Sequence, residues 1–443
     1  MAKVHAEILE LFSRESELRA QMGDRSQALV VDRHGRPQSR PPNPAVREII
    51  TAARRLDEQL AAEQKRLIDS WLPPPRRHEM PPGRFMAISK RTFVARSAAT
   101  VVALDFPHVA RAAKPPRIKI GQIGTAHPHA GGKMTSMRKL PETYEIVGLV
   151  EPDEERRRSS KNSKTWRGLK FMTQEQLLNT RGLQAVAVET AVRDLVPAAM
   201  SCIKAGKHIH LDKPAGPSMS ACRALHAAAN ERKLTIQMGY MLRYNPAFQL
   251  LFQMAHDGWL GPITELSAMM GKKGGDSMRK QLAEFEGGGM FELACHIIDA
   301  MVTVLGKPDK ITAHNRRSYP KKDSFADNQM AVYDYPHAIA TIRCNHLDPF
   351  GFPRRFFNVT GELGSVFINP LEPPKMRIAL DRPRGKFKKG FQDVSLPKLT
   401  DRYMEEFIDL AKVIRGEKKL AWDSEHDLAV HEAVLLGSGM KLD

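Results

Sequence analysis

Ile118-Lys-Ile-Gly-Gln-Ile-Gly124 is the stretch of the chain that decides its fold. It is a short β-branched run that ends in glycine, and a helix-forming segment, Ala130–Leu140, follows it. A strand, a tight glycine turn and a helix in this order predict the start of a Rossmann fold, in which backbone N–H groups at the helix N-terminus face a pyrophosphate. Aligned on Gly124, the Gly-x-Gly-x-x-Gly pattern has Ala126 and His129 in place of its second and third glycines.

The turn itself is expected to hold the cofactor's pyrophosphate through Gly124, Thr125, Ala126 and His127. His127 and His129 have a spacing that metal ligands can have, but no carboxylate or cysteine near them in the sequence completes a set. We therefore expect the two histidines to line the cofactor crevice in place of glycine, and we expect no metal.

A second predicted strand, Tyr144–Val150, ends in Glu151. A carboxylate at this strand tip is placed to accept hydrogen bonds from the ribose diol of a dinucleotide. Glu151 would repel a 2′-phosphate, so NAD is expected. Three nearby arginines, residues 156–158, could offset that repulsion and keep NADP possible.

Strands and helices continue to alternate along the next 90 residues. We predict strands at Leu169–Met172, Leu183–Glu189, Lys207–Leu211 and Leu234–Gly239, with helices at Asp194–Ala205 and Ser218–Arg232. This alternation predicts a doubly wound parallel sheet. Thr190, directly after one of these strands, is expected at the cofactor.

Three motifs then make the chain resemble a known family. They are Gly206-Lys-His-Ile-His-Leu-Asp212-Lys213-Pro214, Gly239-Tyr-Met-Leu-Arg243-Tyr-Asn-Pro246 and Gly287-Gly-Gly-Met-Phe-Glu292-Leu-Ala-Cys-His296-Ile-Ile-Asp299. Together they resemble the Gfo/Idh/MocA family, the relatives of glucose–fructose oxidoreductase and inositol dehydrogenase. The resemblance covers about residues 117–440.

The resemblance implies an α/β architecture: an N-terminal Rossmann domain and a C-terminal α+β domain with an open, mostly antiparallel sheet. It also implies site residues. Lys213, Glu292 and His296 are expected to be catalytic, with His296 as proton acceptor or donor and Glu292 where the family has aspartate. Asp212 and Lys213 are expected at the cofactor, and the expected substrate contacts are Tyr240, Arg243 and Asp299.

The chemistry gives an independent reason for a lysine and a histidine. Oxidation of a secondary alcohol moves a hydride to nicotinamide C4 while a base removes the hydroxyl proton. A lysine beside the positively charged ring is expected to have a lowered pKa because of like charge and partial burial. Glu292 and His296, four residues apart on a predicted helix, would share one face and point into one pocket.

From Pro262 onward the pattern favours strands, at 263–270, 310–316, 328–335, 338–345, 355–361 and 365–368. Two amphipathic helices follow, Tyr403–Arg415 and Asp423–Leu436, and the second is expected to pack back on the Rossmann domain. One face of the sheet is left free to meet a second subunit, so a homo-oligomer is expected. The predicted domains are 117–241 and 242–443.

Residues 1–116 differ from the rest. Residues 1–85 read as a loosely helical or disordered extension with a proline-rich stretch at 35–44. Residues 86–116 resemble a twin-arginine export signal, with Lys90-Arg91 in place of the arginine pair and Ala110-Arg-Ala112 as a cleavage site. We expect a periplasmic protein if translation starts near Met86, and a cytoplasmic one otherwise.

Composition sets outer limits on function. The chain has 443 residues, 42% of them hydrophobic, and its formal charge is +18, from 68 Lys and Arg against 50 Asp and Glu. The positive excess is spread out, so no dedicated nucleic-acid site is expected. No apolar run reaches eighteen residues, so no membrane span is expected in the mature protein. The four cysteines form no Cys-x-x-Cys pair.

The sequence therefore predicts an NAD(P)-dependent oxidoreductase that acts on CH–OH groups of a sugar, polyol or related small molecule. Two alternatives stay open. One is a glycosidase that works by transient oxidation with bound NAD, and the other is a non-catalytic ligand-binding relative.

Overall fold

The computed structural model describes residues 115–399 and 401–443. The predicted N-terminal extension, residues 1–85, lies outside the described residues. So does the signal-like segment 86–116, apart from its last two residues. Among the described residues, no helix combines the length and the apolar character needed to cross a membrane.

Five parallel strands form the first sheet in the described part of the chain, in the order β2-β1-β3-β4-β5. The strands are β1 (Ile118–Ile123), β2 (Tyr144–Val150), β3 (Leu183–Val188), β4 (His208–Leu211) and β5 (Ile236–Met238). The helices of this part are α1 (Ala130–Arg138), α2 (Glu154–Lys161), α3 (Gln174–Leu178), α4 (Leu195–Lys204) and α5 (Met219–Glu231). The predicted doubly wound parallel sheet is confirmed.

One predicted strand of this sheet, Leu169–Met172, is wrong. It makes a single parallel bridge, between Phe171 and Leu149. The chain leaves the sheet there because Thr173 begins helix α3: its side chain accepts from the Gln176 N–H, and the Gln176 side chain accepts from the Thr173 N–H. This reciprocal cap fixes a helix start where another strand pair would otherwise form.

The strand order places a topological switch point between β1 and β3. The loops that follow neighbouring strands diverge at such a point, and open α/β sheets bind ligands in the crevice it leaves at the carboxyl edge. Gly124 follows β1 and Thr190 lies two residues beyond β3. The fold therefore puts the glycine turn at the position where a dinucleotide is expected.

The second sheet has eight strands among the described residues, in the order β13-β12-β11-β10-β6-β9-β8-β7. All neighbours are antiparallel except β6 and β9, which are parallel, so the mostly antiparallel prediction is confirmed. Its strands are β6 (Ile263–Gly271), β7 (Lys310–Arg316), β8 (Asn328–Asp334), β9 (Ile339–Asn345), β10 (Phe356–Gly361), β11 (Gly364–Leu371), β12 (Pro374–Leu380) and β13 (Gly390–Val394). The last two strands were missed by the sequence pattern.

Helices cover one face of this sheet. Those that contact its strands are α6 (Pro246–His256), α8 (Cys295–Leu305) and α10 (Ser424–Gly437), and the other helices of this part are α7 (Asp276–Leu282) and α9 (Met404–Ile414). Burial alternates along β8 and β9, which shows that one face of the sheet packs against the core. On the other face Ile339 and Phe391 are exposed. A homo-oligomer formed through that face stays a prediction.

The chain after the second sheet returns to the first sheet. Helix α9 packs on α1, and the Tyr144 hydroxyl of β2 donates to the Phe407 carbonyl at 2.6 Å. Helix α10 packs on α5 and α8. These contacts join the parallel sheet to the elements that carry the second sheet.

A buried guanidinium is a further link between the two parts. Arg243, after β5, donates to Asp299 of α8 at 2.6 Å and to Asp427 of α10 at 2.5 Å. The guanidinium also lies over the Tyr240 and Trp422 rings. Burial alone would lower the pKa of Arg243, but the two carboxylates raise it above its ordinary value, so the group stays charged.

This arrangement corrects the expectation that Arg243 and Asp299 contact substrate, and the same expectation for Tyr240 stays a prediction. All three are 1% exposed or less. The polar atoms of Arg243 and Asp299 are directed at each other and not at a cleft. Their role in this structure is to hold α8 and α10 against the end of β5.

We predict that Arg243→Ala lowers the free energy of unfolding by about 3–5 kcal/mol, because it leaves two buried carboxylates without a cation. Arg377→Ala is the matched control, because its pair with Asp393 lies at the surface and should contribute about 0–1 kcal/mol. Urea unfolding followed by tryptophan fluorescence measures both. An equal loss of unfolding free energy in the two variants would show that the buried ion cluster contributes no more to stability than the surface pair.

Candidate functional site

The candidate site lies at the carboxyl edge of the parallel sheet. Gly124 follows β1, Glu151 follows β2, Glu189 and Thr190 follow β3, and Asp212 and Lys213 follow β4. Since the strands are parallel and adjacent, these residues meet at one edge.

Gly124 occupies a position that requires glycine. Its φ is +92°, and a Cβ there would lie 2.6 Å from the backbone of Thr190. Its N–H donates to the Val150 carbonyl at 2.7 Å, so the turn is held against both neighbouring strands. A side chain would push β1 and β3 apart at the switch point.

Glu151 fixes the far side of the same turn. Its carboxylate accepts from the Thr125 N–H at 2.7 Å, from the Thr125 hydroxyl at 2.6 Å and from the Asp153 N–H at 3.0 Å. The tip of β2 thereby orders the glycine turn of β1. Carboxylate oxygens have further lone pairs, so Glu151 can still accept from a ligand.

A cavity of about 380 Å³ opens beside the turn. Four of the predicted cofactor residues line it: Gly124, Ala126, Glu151 and Thr190. Arg156 also lines it. Thr125 contributes indirectly, through its bonds to Glu151.

Three other residues predicted at the cofactor do not line this cavity. The side chains of His127 and Asp212 are fully buried beneath the turn, where they face each other at 3.1 Å. Lys213 points the other way, toward the second part of the molecule. We therefore revise the cofactor prediction for His127 and Asp212.

Lys213 reaches a π-helical turn, Met290–Ala294, that leads into α8. Its Nζ donates to the Glu292 carbonyl at 2.7 Å and to Glu292 Oε1 at 3.1 Å. Burial works against the ammonium, but the Glu292 carboxylate outweighs it and raises the pKa of Lys213. The expected lowering of this pKa is wrong for the structure described, because the sequence did not show how close Glu292 lies.

The π-helical turn also changes the predicted relation of Glu292 to His296. An α-helix would set residues four apart on one face, whereas a π-turn widens the spiral, and such turns are frequent at functional sites. Glu292 contacts Lys213, while the His296 ring lies 5.8 Å from the His129 ring and 6.1 Å from the Tyr240 ring, centroid to centroid. The two residues still belong to one buried cluster with Lys213.

His296 is poised as a neutral imidazole. Its Nδ1 is buried and has no hydrogen-bond partner among the residues that the structure describes. Burial, followed by the charge of Lys213, holds the pKa of His296 well below its ordinary value. A neutral ring with a free nitrogen can accept a proton.

Two family models match this chain. One, described as an oxidoreductase family with an NAD-binding Rossmann fold, matches residues 118–240. The other, described as the GFO/IDH/MocA C-terminal domain, matches residues 248–367, and together they cover more than half of the chain.

The chain belongs to the Gfo/Idh/MocA oxidoreductase family.

Individual Gfo/Idh/MocA relatives are distant in sequence. Inositol 2-dehydrogenase 2 of Saccharopolyspora erythraea is 25% identical over 269 residues, which cover 58% of this chain and 75% of the relative. The uncharacterized oxidoreductase YhhX of Escherichia coli is 25% identical over 196 residues, which cover 43% of this chain and 54% of YhhX, so about half of that relative's length is spanned. The solved structure of UDP-N-acetylglucosamine 3-dehydrogenase GnnA from Acidithiobacillus ferrooxidans shares the fold, with a TM-score of 0.61, 19% identity, and coverage of 73% of this chain and 98% of that one.

Sequence reasoning missed one buried cation of this Gfo/Idh/MocA site. Lys133 of α1 contacts His210 Nε2 at 2.5 Å, Glu406 Oε2 of α9 at 3.1 Å and Asp212 Oδ2 at 3.5 Å. Burial opposes its charge, but Asp212 and Glu406 outweigh burial and raise its pKa. The sequence signal was weak: Lys133 lies three residues after Ala130 and four before Met137, on the buried side of α1.

Other charged groups complete the surroundings of the cluster. Lys272, in the loop after β6, adds to Lys213 in lowering the pKa of Glu292 against the effect of burial, and burial lowers the pKa of Lys272 itself. Burial, followed by Asp212, raises the pKa of Glu189 well above its ordinary value. Burial lowers the pKa of His129 to about 4, so that ring is neutral at physiological pH.

We predict that Gly124→Ala destabilises the protein and weakens dinucleotide binding more than Gly206→Ala does. Both glycines have positive φ, +92° and +72°, but a Cβ at Gly206 meets nothing within 4 Å. The control should therefore cost only the backbone strain of about 1–2 kcal/mol, while the test variant must also displace Thr190. Thermal unfolding and calorimetric NAD⁺ titration measure the two effects. Equal behaviour of the two variants would contradict the close approach of β1 and β3.

Proposed function

We propose that this protein is an NAD(P)-dependent dehydrogenase that oxidises a secondary hydroxyl group of a sugar, polyol or related small molecule. The observation that carries the proposal is the buried cluster of Lys213, Glu292 and His296 at the carboxyl edge of the Rossmann sheet. It joins a fixed cation to a neutral imidazole with an unused nitrogen. The inositol dehydrogenase among the relatives supports a polyol-like substrate.

The residues present fit a dinucleotide. The glycine turn leaves a cradle that a Cβ would fill, and the adjoining cavity has the carboxylate of Glu151 in its wall. When bound, the dinucleotide supplies a hydride acceptor. Gly124, Ala126 and Thr190 would hold it, Glu151 would favour the free ribose diol of NAD, and Arg156 in the same wall would tolerate a 2′-phosphate.

His296 would receive the hydroxyl proton on its imidazole ring. The proton needs a base that is neutral at the working pH, and burial beside Lys213 keeps this imidazole neutral. Lys213 would stabilise the oxygen as negative charge develops on it. An ammonium has three donors, and Glu292 accepts two of them, which leaves one for the substrate.

Glu292 would act on Lys213 and not on the substrate. Its carboxylate keeps the ammonium charged and its carbonyl fixes the direction of the side chain. Lys213 would therefore be a fixed hydrogen-bond donor and His296 a separate proton acceptor. This arrangement is expected to stabilise an alkoxide-like transition state.

The test is a screen of sugars and polyols with NAD⁺ and NADP⁺, read by the absorbance of the reduced cofactor. Net NADH or NADPH formation supports the proposal. Cleavage of an aryl glycoside without net NADH would replace it with the glycosidase that works by transient oxidation. Failure of the folded protein to bind either dinucleotide would replace it with a non-catalytic relative.

Lys213→Met should lower kcat by about 10²–10³-fold, the usual loss when one fixed donor to a developing oxyanion is removed. NAD⁺ affinity should stay near wild type because Lys213 does not line the cavity beside the glycine turn. Lys207→Met, near the other end of β4, is the control and should keep full activity. Steady-state kinetics measures kcat, and calorimetry measures the NAD⁺ affinity. Retained turnover in Lys213→Met would show that this residue takes no part in the mechanism.

The pH dependence of kcat/KM should follow the neutral form of His296. Because its pKa lies well below the ordinary value of about 6.5, the base form is present throughout neutral pH. Activity should therefore be flat there and fall only as the pH drops below that lowered pKa. His296→Gln should remove this acid limb together with most of the activity. An acid limb centred at or above the ordinary histidine value would contradict the assignment.

A further inference from the structure

Four side chains beneath the glycine turn form a group that the proposed reaction does not use. They are His127, His129, Glu189 and Asp212, hereafter the His–carboxylate cluster. His127, Glu189 and Asp212 have fully buried side chains, and the His129 side chain is 14% exposed. None of the four lines the cavity beside the turn.

The contacts of His127 fix its tautomer. Its Nε2 lies 3.0 Å from the Lys213 carbonyl oxygen, which can only accept, so Nε2 carries the hydrogen. Its Nδ1 accepts the His129 backbone N–H at 3.3 Å, a long contact that a metal ion on Nδ1 would replace. Nδ1 also lies 3.1 Å from Asp212 Oδ2, and because Nε2 carries a hydrogen these two atoms need a proton or a metal ion between them.

The other acceptor atoms of the cluster lie around the same space between His127 Nδ1 and Asp212. Asp212 Oδ1 faces His129 Nδ1 at 3.2 Å and accepts the Lys213 N–H at 2.7 Å. Apart from His127 Nδ1, Asp212 Oδ2 has only a long contact with Lys133 Nζ, at 3.5 Å, within the part of the chain that the structure describes. Both Glu189 oxygens likewise lack a donor there, and Oε2 lies 3.9 Å from His127 Nδ1. Buried carboxylate oxygens are costly unless they are paired or coordinate a metal.

Charge around the cluster favours a cation as well. The carboxylates of Asp212, Glu189 and Glu406 surround the cluster, and the ammonium of Lys133 is shared between Asp212 and Glu406. A divalent ion would bring further positive charge to these three carboxyl groups.

We propose that the His–carboxylate cluster binds one divalent transition-metal ion of the zinc type. The ligands are His127 Nδ1, His129 Nδ1 and Asp212, with Glu189 as the fourth. The ligand atoms of the first three lie within 4.8 Å of one another, and tetrahedral zinc with ligands at about 2.0–2.2 Å needs small inward shifts of these side chains.

The second contact of His127 matches this assignment. Metal-bound histidines usually donate their other ring N–H to a carboxylate or a backbone carbonyl, which orients the ring. Here the acceptor is the carbonyl of Lys213, the residue after the Asp212 ligand. The ion would tie the turn between β1 and α1 to the tip of β4.

The sequence predicted no metal because no carboxylate lies near His127 and His129 along the chain. The fold supplies one, because Asp212 stands 83 residues after His129 in the chain but beside it in space. This inference does not depend on the proposed dehydrogenase activity, since metal binding is measured without substrate or dinucleotide.

The test is titration of the full chain, without a polyhistidine tag and stripped with chelator, by Co²⁺ alone and then by Zn²⁺. We expect visible ligand-field bands that saturate at one Co²⁺ per chain, are lost when Zn²⁺ displaces it, and accompany a higher unfolding temperature. A ligand that binds only the folded state raises its stability in this way. Lys213→Met should bind the metal as wild type does, whether or not it is active.

His129→Gln is the decisive variant, because it removes a ligand at the least buried position and so has the best chance to fold. It should bind Co²⁺ at least ~10-fold more weakly, and His256→Gln, at an exposed histidine, should bind it normally. A circular dichroism spectrum confirms that each variant is folded. His127→Gln provides a second test of the same kind. If folded wild type binds no Co²⁺ or Zn²⁺, or if both ligand variants bind as tightly as wild type, a proton and not a metal satisfies the cluster.

Discussion

The Lys213–Glu292 contact is the interaction on which the site depends. It joins the end of β4 in the Rossmann sheet to the π-helical turn of the second part, in a position where the ammonium is almost fully buried. Burial of one charge without the other would be unfavourable, so each residue holds its partner in place. Burial, followed by the ammonium that this contact holds in place, lowers the pKa of His296 and keeps it neutral, which links the packing of the two parts to proton transfer.

Two further buried cations hold the elements that this contact needs. Arg243 fixes α8, which carries His296, through Asp299 and Asp427. Lys133 fixes α1 against Asp212 and α9. Each cation is paired with carboxylates from distant parts of the sequence, so the site keeps its geometry only when the whole fold is assembled. This explains why so many charged side chains lie inside a chain of ordinary composition.

The sequence predicted the elements well where local pattern decides them. The β1 strand, the glycine turn and Glu151 follow from spacing and alternation, and six strands of the second sheet follow from their alternating polarity. Strand β12 was missed because prolines at 370, 373 and 374 interrupt the pattern, and the five-residue strand β13 follows a polar stretch rich in lysine, arginine and glycine. The pattern also could not show pairings across the fold. Three such pairings depend on tertiary packing: Glu292 with Lys213, Asp212 with two histidines, and Arg243 with Asp299. The first reversed the predicted pKa shift of Lys213, and the others changed the roles that the sequence had assigned to these residues.

The most direct test is a crystal structure of the full chain with NAD⁺ and a polyol or sugar ligand. We expect one ligand hydroxyl within hydrogen-bond distance of both Lys213 Nζ and a ring nitrogen of His296, with the Glu292 carboxylate still bound to the ammonium. A ligand whose hydroxyl groups contact neither nitrogen, or a His296 ring turned away from the bound dinucleotide, would contradict it.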